Sequence, residues 1–283
     1  MTETTTPVAA ASSRPAPARS TKRRRRMGEP ISRRAYLAIA ASTFVVIGLL
    51  WWGITAAGLV KPLFLPSPSA VWTAFTEQVS NGQLWTDAGA SVYRIMIGFL
   101  LATLMSLPIG ILMGTSAKAE AALEPLVDFI RYMPVVAFVP LTILWVGIDD
   151  PQKFFIVWMG TFFQQVLMVA DDVRRVPRSL IDLGETLGLS NGQILRKIVL
   201  RSAAPKLWDT LRITLGWAWT WLVVAELVAA TSGLGYRITL AQRYLATDLI
   251  IAYVIVLGIL GLVLDQLLRL AGRRMFHYEK GVR

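Results

Sequence analysis

Residues 181–207 read IDLGETLGLSNGQILRKIVLRSAAPKL, a segment that is too polar to cross a membrane yet is regularly patterned. Apolar residues recur at helical spacing within 194–199, which predicts a short amphipathic helix. A second helical pattern occupies 180–187, and Gly188 with Ser190 supplies a break and a helix cap between the two. The segment is therefore expected to form a helix–turn–helix on the face of a membrane.

Apolar stretches on both sides of this segment are long enough to cross a bilayer, whose core of about 30 Å needs about 20 apolar residues. The first runs for 23 residues without a charge. A cleaved signal peptide is the alternative for this stretch, but its apolar core usually has only about 7–15 residues. Gly98, Gly110 and Gly114 predict close helix contacts along the second span. The six predicted spans are 35–57, 89–114, 125–146, 154–170, 211–231 and 249–270.

The chain combines a hydrophobic content of 54% with a net charge of +11, and the location of the charge explains the combination. Residues 1–34 contain nine Lys and Arg against two Glu, so this tail carries most of the excess. Because Lys and Arg mark the cytoplasmic segments of membrane proteins, both termini and the loop at 171–208 are expected in the cytoplasm. Orientation and lipid binding are favoured for the tail over binding to RNA or DNA, so no nucleic-acid partner is expected.

The expected fold class is an all-α membrane protein with six transmembrane helices. Residues 1–34 are predicted to be a disordered basic cytoplasmic tail. Residues 35–272 form the membrane domain, which contains the loop at 171–208, and residues 273–283 form a short cytoplasmic tail.

The chain lacks the residues that most catalytic and metal sites require. It contains no Cys, a single His at His277 and no GxxxxGK[ST] phosphate loop. No catalytic residue, metal site or cofactor is therefore predicted, and ATP hydrolysis would have to occur on another polypeptide. A membrane-embedded enzyme is disfavoured for the same reason. A stand-alone secondary transporter driven by an ion gradient is the alternative function, with Glu226 as the only deep acidic residue for a proton or ion relay.

The loop at 171–208 resembles the cytoplasmic loop of permease subunits of prokaryotic ATP-binding-cassette (ABC) importers. That loop carries Glu-Ala-Ala, three residues, Gly, nine residues and Ile-x-Leu-Pro. Aligning on Gly188 places Ile198 and Leu200 on the Ile-x-Leu positions. The triplet position is held by Asp182, Leu183 and Gly184. The triplet is only roughly kept, and Arg201 stands where the family has its final proline.

Four further stretches are similar to permeases for sulfonate, taurine, nitrate and bicarbonate. They are FLPSPSAVW at 64–72, SVYRIMIGF at 91–99, YMPVVAFVPLTILWVGI at 132–148 and WAWTWLVVAELVAATSGLGY at 217–236. The resemblance extends over about 63–270. It implies the type I ABC importer permease fold, a location in the inner or plasma membrane of a prokaryote, and import of a small anionic solute such as one of these or an organic acid.

The resemblance also implies partners. These are a second copy of the chain, two cytoplasmic ATP-binding subunits, an external substrate-binding protein and the surrounding lipids. The loop, hereafter the coupling loop, would sit in a groove on the ATP-binding subunit, with Gly188 permitting the turn and with Leu189 and Ile194 as apolar anchors. An amphipathic helix that merely lies on lipid is the alternative.

Polar and aromatic residues inside the spans are candidates for the translocation path, since an ionisable residue at the membrane centre costs about 2.5–3.5 kcal/mol. Glu226 either lines the path or pairs with an arginine on a neighbouring helix, and Arg94 could instead snorkel to the outer surface. The glutamines and tryptophans could also serve interhelical bonding and packing. The candidates are Gln164, Gln165, Trp217, Trp221, Glu226, Arg94 and Arg131, the last of which is spaced to pair with Asp128.

Overall fold

The computed structural model describes residues 31–277, and within this range the secondary structure is helical, without a strand. The disorder predicted for 1–30 and the last part of the predicted carboxy-terminal tail, 278–283, lie outside the described residues. The first helix begins at Arg33, inside the segment predicted as a tail, and the last helix continues to Met275, past the predicted end of the membrane domain.

Eleven α-helices and one π-helical turn follow one another along the described chain. The π-helical turn Leu195–Val199 joins α8 to α9 without a break. The helices are α1 (Arg33–Ala56), α2 (Pro68–Ser80), α3 (Gln83–Thr115), α4 (Ala117–Arg131), α5 (Val135–Val146), α6 (Asp150–Arg174), α7 (Arg178–Thr186), α8 (Asn191–Ile194), α9 (Leu200–Ala229), α10 (Leu234–Arg243) and α11 (Thr247–Met275).

The chain divides into two units, Met1–Leu50 and Trp51–Arg283. The described part of the first unit is the amino-terminal portion of α1, an apolar helix in which no residue is buried. The second unit contains all of the candidate site residues and four apolar cores.

Five helical segments are long and apolar enough to cross a membrane: α1, α3, α6, the continuous helix Asn191–Val228 and α11. The stretch predicted as the third span, 125–146, is formed by two helices, α4 and α5, bent by 93°. The break has a local cause, because Pro134 lacks an N–H and disfavours helical geometry at Met133 before it. The predicted third span is therefore corrected to a broken one.

Helices α3 and α6 approach closely through glycines on α3. A Cβ atom built on Gly98 would lie 2.7 Å from Val157 Cβ, too close for any side chain to fit without displacing α6. The same relation holds for Gly110 and Gly114, where the nearest atoms of α6 would be 2.6 and 2.7 Å away. The close contacts predicted from these glycines are confirmed, and they make the α3–α6 pair the centre of the second unit.

The directions of the helices define two ends of the second unit. The end of α6, the coupling loop and the start of α9 lie at one end, the coupling end, where Arg174 pairs with Glu120 at the start of α4. The starts of α3, α6 and α11 lie at the opposite end together with α10. This distal end is where Arg94 of α3 meets Asp150 at the start of α6.

Candidate functional site

The turn of the coupling loop is built around Gly188. Its φ of +72° lies in the left-handed region, which a residue without Cβ adopts at no steric cost. The N–H of Gly188 donates to Glu185 O at 2.9 Å, and the N–H of Leu189 donates to Gly184 O at 3.0 Å. These two bonds form a Schellman motif that ends α7, so the predicted break at Gly188 is confirmed.

The second helix of the coupling loop begins with the predicted cap. The N–H of Ser190 donates to Gln193 Oε1 at 3.0 Å, which is part of a capping box. The helix that follows is not short, however, because it passes through the π-helical turn into α9 and runs for 38 residues, Asn191–Val228. No glycine interrupts the chain between 193 and 215. The predicted separate amphipathic helix is therefore the first part of this long helix.

Packing inside the coupling loop explains why the third residue of the triplet 182–184 is a glycine. Gly184 is buried, and a Cβ there would lie 2.6 Å from Ile198 Cδ1 and 3.1 Å from Ile194 Cγ1. Ile194 is only 5% exposed and belongs to an apolar core with residues of α6 and α9. The prediction of Ile194 as an exposed anchor is thus wrong, because its side chain holds α7 on α8.

Other apolar side chains of the loop face outward. Leu183 is 54% exposed and Leu187 is 68% exposed, whereas Leu189 is half-buried. Asp182 is exposed beside them, and Leu200 is half-buried at the start of α9. Leu187 was not among the predicted site residues, although its place just before Gly188 could have indicated it.

At the distal end, Glu226 of α9 is 1% exposed and accepts three kinds of hydrogen bond. Ser91 Oγ donates to it at 2.8 Å, Arg94 Nη1 at 2.9 Å and the N–H of Gly235 at 2.9 Å. Of the two alternatives for Glu226, the structure thus shows the ion pair with an arginine of a neighbouring helix.

Arg94 is 4% exposed, so the prediction that it could snorkel to the outer surface is wrong. Its Nε atom lies 2.7 Å from Asp150 Oδ1, and it also donates to the backbone oxygen and the hydroxyl of Ser232 at 2.5 and 3.0 Å. One guanidinium therefore ties α3 to α6, to α9 and to the turn before α10.

A second buried carboxylate, Asp87, completes the distal cluster. It is 0% exposed and accepts from the N–H of Gly233 at 3.1 Å, from Arg237 Nε at 2.9 Å and from the Tyr253 hydroxyl at 3.2 Å. The N–H of Leu234 donates to Ser91 Oγ at 2.9 Å. Three backbone N–H groups at the start of α10 therefore donate hydrogen bonds to buried side chains of α3 and α9.

The two glutamines of α6 have different surroundings. Gln165 is buried, accepts from Ser106 Oγ at 2.9 Å and donates to Thr103 and Thr214 at 3.2 Å each. It therefore bonds α6 to α3 and α9, which is the interhelical alternative. Gln164 is half-buried, lines a cavity and makes no side-chain hydrogen bond within residues 31–277.

This cavity, hereafter the central cavity, has a volume of about 400 Å³ and lies where the broken span meets α6 and α9. Four predicted path residues line it: Arg131, Gln164, Trp217 and Trp221. The other three, Gln165, Arg94 and Glu226, lie in the hydrogen-bond networks described above. Trp221 packs on Gly160 of α6, and a Cβ atom built on Gly160 would overlap the indole ring of Trp221.

Arg131 is held at the rim of the break in the span. Its Nε atom pairs with Asp128 Oδ1 at 2.8 Å, as the spacing predicted, and its Nη2 atom donates to the Tyr132 hydroxyl at 3.0 Å. The guanidinium carbon lies 4.6 Å from the centre of the Tyr132 ring. No group of metal-ligating side chains occurs within residues 31–277.

Comparison with known proteins identifies the family. Residues 106–277 match the model of the binding-protein-dependent transport system inner membrane component family. The taurine transport system permease protein TauC of Escherichia coli (strain K12) is 34% identical over 251 residues, which cover 87% of this chain and 90% of that protein. The putative aliphatic sulfonates transport permease protein SsuC of Bacillus subtilis (strain 168) is 34% identical over 234 residues, covering 83% and 85% respectively.

The fold has a counterpart among solved structures. A chain of the MetNI methionine ABC transporter, solved in inward-facing conformations, superposes with a TM-score of 0.55 at 23% identity, covering 66% of this chain and 91% of that chain. The helical fold and the loop before α9 define a membrane-embedded permease component of an ABC import system. The chain belongs to the family of binding-protein-dependent transport system inner membrane components, as a multi-pass protein of the inner membrane. The resemblance seen in the sequence is confirmed.

Proposed function

We propose that this permease imports small organic anions, with sulfonates such as taurine first among them. The observation that carries the proposal is the similarity, over more than four-fifths of the chain, to permeases named for taurine and aliphatic sulfonates. The central cavity supports it, because Arg131 is the only charged residue that lines it among residues 31–277. Nitrate, bicarbonate and other organic acids are the competing substrates.

The proposed complex contains two copies of this chain, two cytoplasmic ATP-binding subunits and an external substrate-binding protein, set in lipid. The chain has no phosphate loop of its own, so ATP hydrolysis is assigned to the separate subunits. Each chain crosses the membrane six times, with the α4–α5 pair as one broken span. Both termini and the coupling loop face the cytoplasm, because the basic residues are concentrated there.

The proposed coupling runs from the loop to the cavity along one helix. The exposed Leu183 and Leu187 form the apolar contact with the ATP-binding subunit, and Gly188 fixes the direction of the turn. Because the helix is continuous from Asn191, a displacement of the loop is carried directly to Trp217, about 39 Å away at 1.5 Å per residue. The translocation path is assigned to the central cavity, while Gln165, Arg94 and Glu226 position the helices around it.

The decisive experiment is reconstitution in lipid vesicles with candidate ATP-binding and substrate-binding partners. Labelled taurine, an alkyl sulfonate, nitrate, bicarbonate and an aromatic acid are offered in turn, with and without ATP. The proposal expects uptake of the sulfonates that requires ATP and all partners. Uptake by the chain alone, driven by an ion gradient, would refute it in favour of a secondary transporter.

A further inference from the structure

The central cavity lies near the middle of α6. Gln164 is 14 residues from the start of α6 and 10 from its end, so it lies about 21 Å and 15 Å from the two ends of that helix. Arg131 faces the same cavity from the break between α4 and α5. A cation kept at this depth requires either a structural partner or a ligand.

The bonds of Arg131 leave part of its guanidinium available. Its Nε atom pairs with Asp128 and its Nη2 atom donates to the Tyr132 hydroxyl, so the guanidinium is held in one orientation. Its Nη1 atom makes no hydrogen bond or ion pair within the described chain. Asp128 does not line the cavity, and no other carboxylate in the described part of the chain does so. The side chain of Arg131 is 29% exposed, which leaves Nη1 able to reach an anion in the cavity.

A second polar group faces the same space. The carboxamide of Gln164 is half-buried and unbonded within residues 31–277, whereas its neighbour Gln165 bonds to three hydroxyl groups. Because this amide is only half-buried and faces the cavity, its N–H and C=O groups are available to an occupant. The N–H groups of this amide and of Arg131 are matched by the several acceptor oxygens of a sulfonate.

Apart from Thr220, the remaining walls are apolar or aromatic. Phe138, Phe163, Trp217 and Trp221 line the cavity, and its volume of about 400 Å³ falls within the range of about 300–1,000 Å³ that is usual for small-molecule sites. Such walls suit a short alkyl chain and give few hydrogen bonds to a strongly hydrated inorganic ion. The polar groups and the walls together select an organic anion with a compact apolar part.

We propose that the central cavity is a substrate-binding site of the permease itself, in which Arg131 and Gln164 bind the sulfonate group of an alkyl sulfonate and Trp217 contacts its alkyl chain. The proposal rests on the proposed function for the class of solute. It adds that the permease binds the solute directly, in addition to the external binding protein.

The test uses the intact complex of this chain with its ATP-binding subunits and the probe 2-bromoethanesulfonate, whose bromine quenches tryptophan fluorescence on contact. The proposal expects a saturable component of quenching that is lost when Trp217 and Trp221 are both replaced by Phe. The neutral analogue 2-bromoethanol should quench without saturation. Quenching by the sulfonate that never saturates would overturn the site.

Substitutions identify the groups that bind. Arg131→Gln is expected to raise the half-saturating concentration about tenfold or more, since a hydrogen bond to a charged group is lost, and Arg131→Lys is expected to recover part of the affinity. Gln164→Leu, which leaves the positive charge of Arg131 in place, should raise the half-saturating concentration severalfold. Arg269→Gln is the matched control, because Arg269 is exposed on α11 and lies outside the cavity. Unchanged affinity in both Arg131→Gln and Gln164→Leu would overturn the proposal.

Uptake measured separately distinguishes this proposal from the proposed function. If quenching were saturable but the complex took up no sulfonate in the presence of ATP, the import function would be refuted and the binding site would still be supported. ATP-driven sulfonate uptake by a complex whose quenching never saturates would refute the site alone. Arg131→Gln should reduce sulfonate uptake, whereas the control Arg269→Gln should leave both uptake and the ATPase activity stimulated by the binding protein at the level of the unmodified complex.

Discussion

Replacing Glu226 by Ala should destabilise the permease strongly. The substitution removes the acceptor of Ser91, of Arg94 and of the Gly235 N–H, all of which are buried at the distal end. Breaking a buried ion pair by removing one partner costs about 3–5 kcal/mol. Arg94 keeps its contact with Asp150 at 2.7 Å, which places the expected loss near the lower end, at about 3 kcal/mol.

This loss is measurable as a shift of the unfolding temperature. For a chain of this size, about 3 kcal/mol corresponds to about 6–12 °C. Glu226→Gln keeps one acceptor oxygen and should lose about 1–2 kcal/mol. The double variant Arg94→Met with Glu226→Leu should lose less than the two single variants combined, because it leaves fewer buried groups without partners.

The assay is thermal unfolding of the purified complex in detergent, followed by the loss of its monodisperse peak in size-exclusion chromatography. Glu77→Ala is the matched control, since Glu77 is an exposed carboxylate on α2, and its shift should stay below about 2 °C. If Glu226→Ala unfolded at the temperature of the unmodified chain but abolished uptake, the positioning role would be wrong and Glu226 would belong to the translocation path.

Three further substitutions test the packing and the coupling loop. Gly110→Ala would place a Cβ 2.6 Å from α6 and should lower the unfolding temperature, whereas Gly89→Ala on the same helix meets nothing within 4 Å and should not; equal shifts would contradict the packing argument. Gly188→Arg should leave the protein in the membrane but uncouple ATP hydrolysis from uptake, because a side chain at a φ of +72° costs about 1–2 kcal/mol; normal uptake would refute the coupling role. Gln165→Leu should cost about 1–2 kcal/mol in thermal unfolding, and no shift would show that its hydrogen bonds do not stabilise the bundle.

The spans and the turn of the coupling loop could be predicted because each depends on residues that are close in sequence. Apolar length identifies a span, and Gly188 followed by Ser190 specifies a helix end and a new helix start within a few residues. The same hydropathy, averaged over 125–146, conceals a change of direction. Pro134 was the visible signal for that break, but composition alone does not separate a kinked membrane helix from a broken one.

The distal cluster could not be predicted because its partners are far apart along the chain. Arg94 and Glu226 are 132 residues apart, and no periodic pattern connects them. Asp87 was missed for a different reason, since the predicted second span began at 89 whereas α3 begins at Gln83. Gly233 was the available signal: a Cβ there would lie 2.7 Å from Arg94 Nη1, so only glycine permits the turn to approach the cluster.

Helix α9 is hydrogen-bonded to its neighbours at more than one level. Near its distal end Glu226 is bound to α3 and α10 by buried hydrogen bonds, and nearer the coupling end the Thr210 hydroxyl donates to Asp172 of α6. If the helix tilted as a rigid body about Glu226, the displacement would grow with distance from that residue. Trp217 lies about 14 Å from that point and Asn191 about 52 Å, at 1.5 Å per residue. A given tilt would thus move the cavity wall by about a quarter of the displacement of the loop, so a large displacement of the loop would become a small change in the shape of the cavity.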